Sequence, residues 1–179
     1  MKEDENVHQL LKNAWIQRGK GNYEQARVLL EKAQASCRET DYHELGRIYH
    51  IYMQFESDQG DYIKAIELNK QSLNYYEKSQ DKDRIAHSTR HLADLHRYVD
   101  QDLKSEGLYR KAVNIYRDTP HTNPGDLANA LRGLGLVLAK LNKQKEAIEV
   151  WQEVKALYQA CDLPEGVEEA KEKLASFST

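Results

Sequence analysis

The 179-residue sequence predicts an all-α protein: a right-handed α-solenoid of four helix pairs closed by a C-terminal capping helix. Three observations carry that prediction. First, one segment returns four times, each time opened by a small residue: Ala26, Ala65, Ser105 and Ala147 stand 39, 40 and 42 residues apart. A fixed period in this range marks stacked supersecondary units, because a single unit cannot bury its apolar face alone. Second, the composition holds 40% hydrophobic and 31% charged residues but only nine Gly and three Pro, which favours helix throughout. Third, a lone polar-backed helix follows the last repeat, as the exposed end of a stack requires.

Each repeat reads as two helices. In the first, a helix from about Asn6 to Lys20 carries Leu10, Leu11, Ala14 and Trp15 at helical spacing. Gly21-Asn22 breaks it, and Gly suits the left-handed backbone wanted after a helix end. The partner helix runs from Tyr23 to about Arg38. The second pair covers about Tyr42–Gln59 and Tyr62–Lys78, with Gly60-Asp61 between them. The third covers about Asp83–Val99 and Leu103–Arg117, turning at Asp100-Gln101-Asp102 without glycine. The fourth opens at Asn123-Pro124, a capping residue followed by a first-turn proline, and covers about Pro124–Leu141 and Gln144–Ala160. In the terminal helix, Glu165–Ser176, residues Val167, Ala170, Leu174 and Ala175 are placed to cover the last repeat, while Glu168, Glu169, Lys171, Glu172 and Lys173 face water. The repeats thus span about 6–40, 42–80, 83–119 and 123–161, with the cap at about 164–177, in one domain over 1–179.

Composition narrows the function classes. A net charge of −3 implies neither a polyanionic nor a polycationic partner by itself. No stretch approaches the ~18 consecutive apolar residues of a membrane helix. The charged start, Met1 to Asn6, lacks the apolar core of a secretory signal. Cys37 and Cys161 form no C-x-x-C pair and read as reduced, partly buried small hydrophobes, which suits a cytoplasmic protein. There is no phosphate-cradling glycine loop, no G-x-S-x-G and no credible Cys–His pair, so neither an enzyme nor a cofactor is expected.

The repeats resemble those of the tetratricopeptide family. The resemblance rests on a bulky–small pair in the first helix (Tyr52-Met53, Leu92-Ala93, Leu134-Gly135, and Leu174-Ala175 in the cap) and on the Gly-x-Tyr turns at Gly21–Tyr23 and Gly60–Tyr62. It rests also on the small residue opening the second helix, the aromatics Tyr109 and Trp151, and the closing small residues Ala33, Ser72 and Ala112. Asn13, Met53 and Asn69 depart from the pattern, and repeats three and four lack Gly-x-Tyr. The spacing near 40 is similar to the long-helix variety of kinesin light chains and of bacterial regulators that sense peptides.

That resemblance implies a concave groove lined by the first helices, binding a protein or peptide without chemistry. Carried over, the stripes are His8, Leu11, Lys12, Trp15 and Arg18; Arg47, His50, Ile51, Gln54, Ser57 and Asp58; His87, Arg90, His91, Asp94, Arg97 and Tyr98; and Asn129, Arg132, Gly133, Leu136, Ala139 and Lys140. Seven basic residues (Lys12, Arg18, Arg47, Arg90, Arg97, Arg132, Lys140) face two acidic ones (Asp58, Asp94), so an acidic partner is expected. The expected contact set is Lys12, Trp15, Arg47, His50, Gln54, His87, Arg90, His91, Asp94, Arg97, Arg132 and Lys140. An ordinary solvated face, each cation paired to a neighbour, is the competing reading. Trp15 is expected to pack against the next repeat, with an anchoring role as the alternative. His87 and His91, at i and i+4, have zinc-ligand spacing, but no Cys, Asp or Glu clearly completes a site, and hydrogen bonding is the expected role. A sensor of a short signalling peptide, nucleic-acid binding through the basic stripe, and a homodimer through the first helix are the alternatives.

Overall fold

The computed structural model describes residues 6–177, and within them the chain forms nine helices and no strand. They are α1 (Val7–Gly19), α2 (Tyr23–Ala35), α3 (Tyr42–Asp58), α4 (Tyr62–Ser79), α5 (Lys82–Tyr98), α6 (Asp102–Asp118), α7 (Pro124–Lys140), α8 (Gln144–Ala160) and α9 (Pro164–Ser176). The charged segment Met1–Glu5, read above as no secretory signal, lies outside the described residues. The chain divides into two compact units, one ending at Asp81 and the other beginning at Lys82. The first holds the hairpins α1–α2 and α3–α4; the second holds α5–α6, α7–α8 and the terminal α9.

One turn design closes the first helix of every hairpin. After α1, α3, α5 and α7, a residue enters the left-handed region: Gly21 at φ 76°, Gly60 at 79°, Asp100 at 55° and Asn142 at 57°. The next residue then donates its amide to a carbonyl five back: Asn22 to Gln17, Asp61 to Glu56, Gln101 to His96 and Lys143 to Leu138, all at 2.9 Å. This is the Schellman closure, which satisfies carbonyls that a helix end leaves unpaired. Asp and Asn tolerate the left-handed backbone better than other non-glycine residues, so repeats three and four make the same turn without Gly-x-Tyr. At the start of α7, the Asn123 side chain accepts from the amide of Gly125 at 2.8 Å, and Pro124 occupies the first turn.

Within each unit, small residues admit large ones. Ala26, Ala65, Ser105 and Ala147 are fully buried, as are Leu30, Ala33, Asn69, Tyr109, Ala112 and Trp151 further along the same second helices. In the first unit the Tyr76 ring lies so close to Gly46 that an added Cβ would stand 2.6 Å from it. In the second, a Cβ on Gly133 would fall 2.3 Å from the Tyr109 ring and one on Gly135 2.8 Å from Trp151 Nε1. Buried hydroxyls tie helices of a hairpin: Ser72 donates to the Gly46 carbonyl and Ser105 to the Ala93 carbonyl, both at 2.8 Å.

Several expectations need correction. Leu11 and Ile51 are buried in the first unit's core, and Gly133 lies under Tyr109, so none of the three lines an open face. A helix places fewer residues on its outer face than a full stripe assumes once neighbouring helices flank it. Trp15 is 46% exposed instead of packed away. In α9, Ala175 is exposed and Phe177 packs on the core in its place, while Glu169 turns inward to an arginine. The cysteines are free and partly buried, as expected. Among the described residues no helix is long and apolar enough to cross a membrane.

Candidate functional site: the outer faces of the first helices

In the first unit, α1 and α3 bring five of the twelve expected contact residues together: Lys12 and Trp15 on α1, and Arg47, His50 and Gln54 on α3. Arg18 organises this face. Its Nε and Nη2 donate to the two carboxylate oxygens of Asp58, each at 2.7 Å, and Nη2 also donates to Gln54 Oε1 at 3.2 Å. The guanidinium so held lies 4.6 Å from the ring centroid of Trp15, a cation–π contact that fixes an exposed indole. Arg47 donates through Nη1 to His8 Nδ1 at 3.2 Å, and Lys12 is exposed. Neither Lys12 nor Arg47 is ion-paired to a carboxylate among the described residues.

The second unit gathers the other seven, on α5 and α7, in a different electrostatic state. Asp94 accepts from the Tyr109 hydroxyl and from Arg90 Nη1 at 2.9 Å, with Arg97 at 3.9 Å and His91 Nδ1 at 3.8 Å. Burial and then the Asp94 charge push the Tyr109 hydroxyl well above its ordinary pKa, so it remains a donor. Arg132 is held bidentately by Glu169 of α9 at 2.6 and 2.7 Å, and this bond raises its pKa further. Lys140 reaches Asp100 at 2.6 Å and Asp102 at 3.0 Å. The Tyr158 hydroxyl donates to Asn129 Oδ1 at 2.8 Å. His87 is kept neutral: burial, then Arg90 and Arg84, lower its pKa to about 3.

The basic stripe is therefore largely neutralised. Arg18, Arg90, Arg97, Arg132 and Lys140 all face carboxylates, three of which (Asp100, Asp102, Glu169) the sequence reading left off this face. Six of the ion pairs share one signal. Arg18–Asp58 and Lys140–Asp100 are 40 residues apart, Arg132–Glu169 and Lys143–Glu106 37, and Arg110–Glu146 and Arg117–Glu153 36. These six cations find a carboxylate 36 to 40 residues away, about one repeat, so a search over that interval would have found each pair.

This architecture has close relatives among known folds. Residues 47–118 match the tetratricopeptide repeat family model. No curated protein sequence matches the chain. Among solved structures, the apo form of RapI superposes with a TM-score of 0.88 at 18% identity, over 100% of this chain and 65% of RapI. A Podosopora anserina kinesin light chain of nearly identical TPR-like repeats gives 0.69 at 16% identity, over 99% and 97%. Aspartyl phosphate phosphatase F from Bacillus subtilis gives 0.73 at 12%, over 96% of this chain and 50% of that one. The chain thus spans about two thirds of RapI and half of phosphatase F. Residues 47–118 are thus similar to tetratricopeptide repeats, and the described chain shares the all-α helical-repeat fold of these solved structures. Such a fold supports a protein–protein interaction module.

Proposed function

We propose that the protein binds an acidic peptide segment of a partner protein on the α1–α3 face, with Trp15 as apolar anchor and Lys12 and Arg47 as charge contacts. The observation that carries this reading is the exposed Trp15, clamped by an arginine that is itself fixed bidentately to Asp58. A half-exposed indole held by Arg18, on helices that also carry Lys12 and Arg47, two cations without carboxylate partners among the described residues, has the composition of an interface hot spot. The cations of the second unit already face carboxylates, Arg90 and Arg97 at Asp94, Arg132 at Glu169 and Lys140 at Asp100 and Asp102. Protein binding without chemistry is the mode this implies, and a cytoplasmic setting fits it.

Selection from a displayed random-peptide library tests the proposal. Wild type should enrich Asp/Glu-rich peptides that carry an apolar residue. The variants Trp15→Ala and Arg47→Glu, matched to wild type in helical content and melting, should lose them. Enrichment of basic peptides, or equal enrichment by both variants, overturns it. A second reading, a regulatory sensor of a short signalling peptide, takes support from the match to RapI in its apo form. It predicts that a selected peptide slows amide exchange well beyond the helices it touches.

A further inference from the structure

We propose that His87 and His91 of α5 chelate a divalent transition metal, zinc or its neighbours nickel and copper, through their Nε2 atoms. The two residues stand one helical turn apart in the second unit, and their Nε2 atoms are 3.2 Å apart. Two imidazoles bound tetrahedrally at ~2.05 Å place their nitrogens about 3.3 Å apart, so the pair already has the bite of a chelate. Both ligand atoms lie within reach of one ion.

The tautomers support the same assignment. Arg90 Nη2 lies 2.7 Å from His91 Nε2, and a guanidinium has no acceptor. His91 Nε2 therefore carries the lone pair, and its proton sits on Nδ1, which faces Asp94 Oδ2 at 3.8 Å. A carboxylate behind the far nitrogen is the arrangement that orients metal-bound histidines. His87 Nε2 then donates to the same lone pair, so two donors converge on one acceptor. An ion replaces that crowding: His87 moves its proton to Nδ1, and Arg90 swings its Nη2 aside while keeping Nη1 on Asp94. The charges of Arg84 and Arg90 oppose a dication and that of Asp94 favours it, which sets a two-histidine site of moderate affinity with coordination positions open to water.

The experiment uses the full chain stripped of metal with a chelator. Calorimetric titration with zinc should give one equivalent, weakened at least about tenfold in His87→Gln and in His91→Gln, in keeping with the size of effects in metal sites. It should be unchanged in His121→Gln, an exposed histidine of the same unit. As a check independent of folding variants, substoichiometric copper should broaden the imidazole NMR signals of His87 and His91 in wild type before those of His121. Failure of zinc to bind saturably, retention of affinity in both glutamine variants, or preferential broadening at His121 overturns the proposal.

Discussion

The two units are built from the same hairpin yet spend their charges differently. In the first, the site face is stitched across first helices, Arg18 of α1 to Asp58 and Gln54 of α3, and two cations have no carboxylate partner among the described residues. In the second, Arg90 and Arg97 gather on Asp94 within α5, Tyr109 of α6 joins them, and Arg132 is drawn to α9. The difference follows from what each helix has as a neighbour. Gly133 lets the Tyr109 ring lie directly beneath the face of α7, so its hydroxyl reaches Asp94, and α9 supplies Glu169. In the first unit the ring beside the first-helix glycine is Tyr76 against Gly46, and among the described residues Lys12 and Arg47 have no carboxylate partner.

Each unit contains one of the two tryptophans, which lets the comparison be tested unit by unit. The largest expected effect is Trp151→Ala in the second unit. It empties a site with no exposed surface, beside Gly135, and should cost about 4 kcal/mol in denaturant unfolding. Trp15→Ala should move stability by less than ~0.5 kcal/mol, since nearly half of the residue already meets water. Equal costs would erase the distinction between a core and a contact tryptophan.

Next in size are the buried carboxylates that both units share on their second-helix side. Glu56 accepts from Arg27 at 2.7 Å and Lys64 at 3.1 Å; Glu106 accepts from Lys143 at 2.8 Å and Arg110 at 2.9 Å. Burial alone would raise their pKa values, but the donated hydrogen bonds outweigh it and hold both below the ordinary 4.5. Removing both cations, as Arg27→Ala/Lys64→Ala or Lys143→Ala/Arg110→Ala, should cost about 2–3 kcal/mol, a buried-pair penalty reduced because the cations are partly exposed.

Acid should separate the units. A carboxylate with a depressed pKa contributes stability above 4.5 and loses it as pH falls through the folded value, and this holds in both. His87 adds a loss confined to the second unit. Its ordinary pKa is 6.5 and its folded one about 3, so the unfolded chain takes up a proton first. Stability there should fall between pH 6.5 and 3 by at most roughly 1.4 kcal/mol per pH unit. Trp151 emission should therefore report acid unfolding sooner than Trp15 emission, and His87→Phe should shrink the gap. Coincident transitions in wild type would contradict it. Smaller than the carboxylate effects is that of Arg18→Ala, about 1 kcal/mol for a partly exposed bidentate pair, together with weaker peptide binding as Trp15 loses its clamp.

The helices were legible because their signals are local. Period, caps and turn residues place α8 at Gln144–Ala160 in sequence and structure alike, and the other ends move by no more than three residues. Asp100 and Asn142 show that a turn survives when glycine is replaced by residues that tolerate the same backbone. The site was less legible because charge compensation is not local. A stripe read along one helix counts Arg132 as free, while its carboxylate sits on α9, and counts Lys140 so although Asp100 and Asp102 lie 40 and 38 positions earlier. Trp15 shows the reverse error, since an apolar side chain at helical spacing lies at the margin of the packed face.

The central claim is that the α1–α3 face, and not the larger arginine set of the second unit, supplies the charge for binding. Titrating one selected acidic peptide into Arg47→Glu and Arg132→Glu, both in a Trp151→Phe background with Trp15 fluorescence as readout, tests it directly. The account predicts that Arg47→Glu weakens binding by tenfold or more, about 1.4 kcal/mol, while Arg132→Glu leaves it nearly unchanged. A loss confined to Arg132→Glu, or equal in the two, would contradict it.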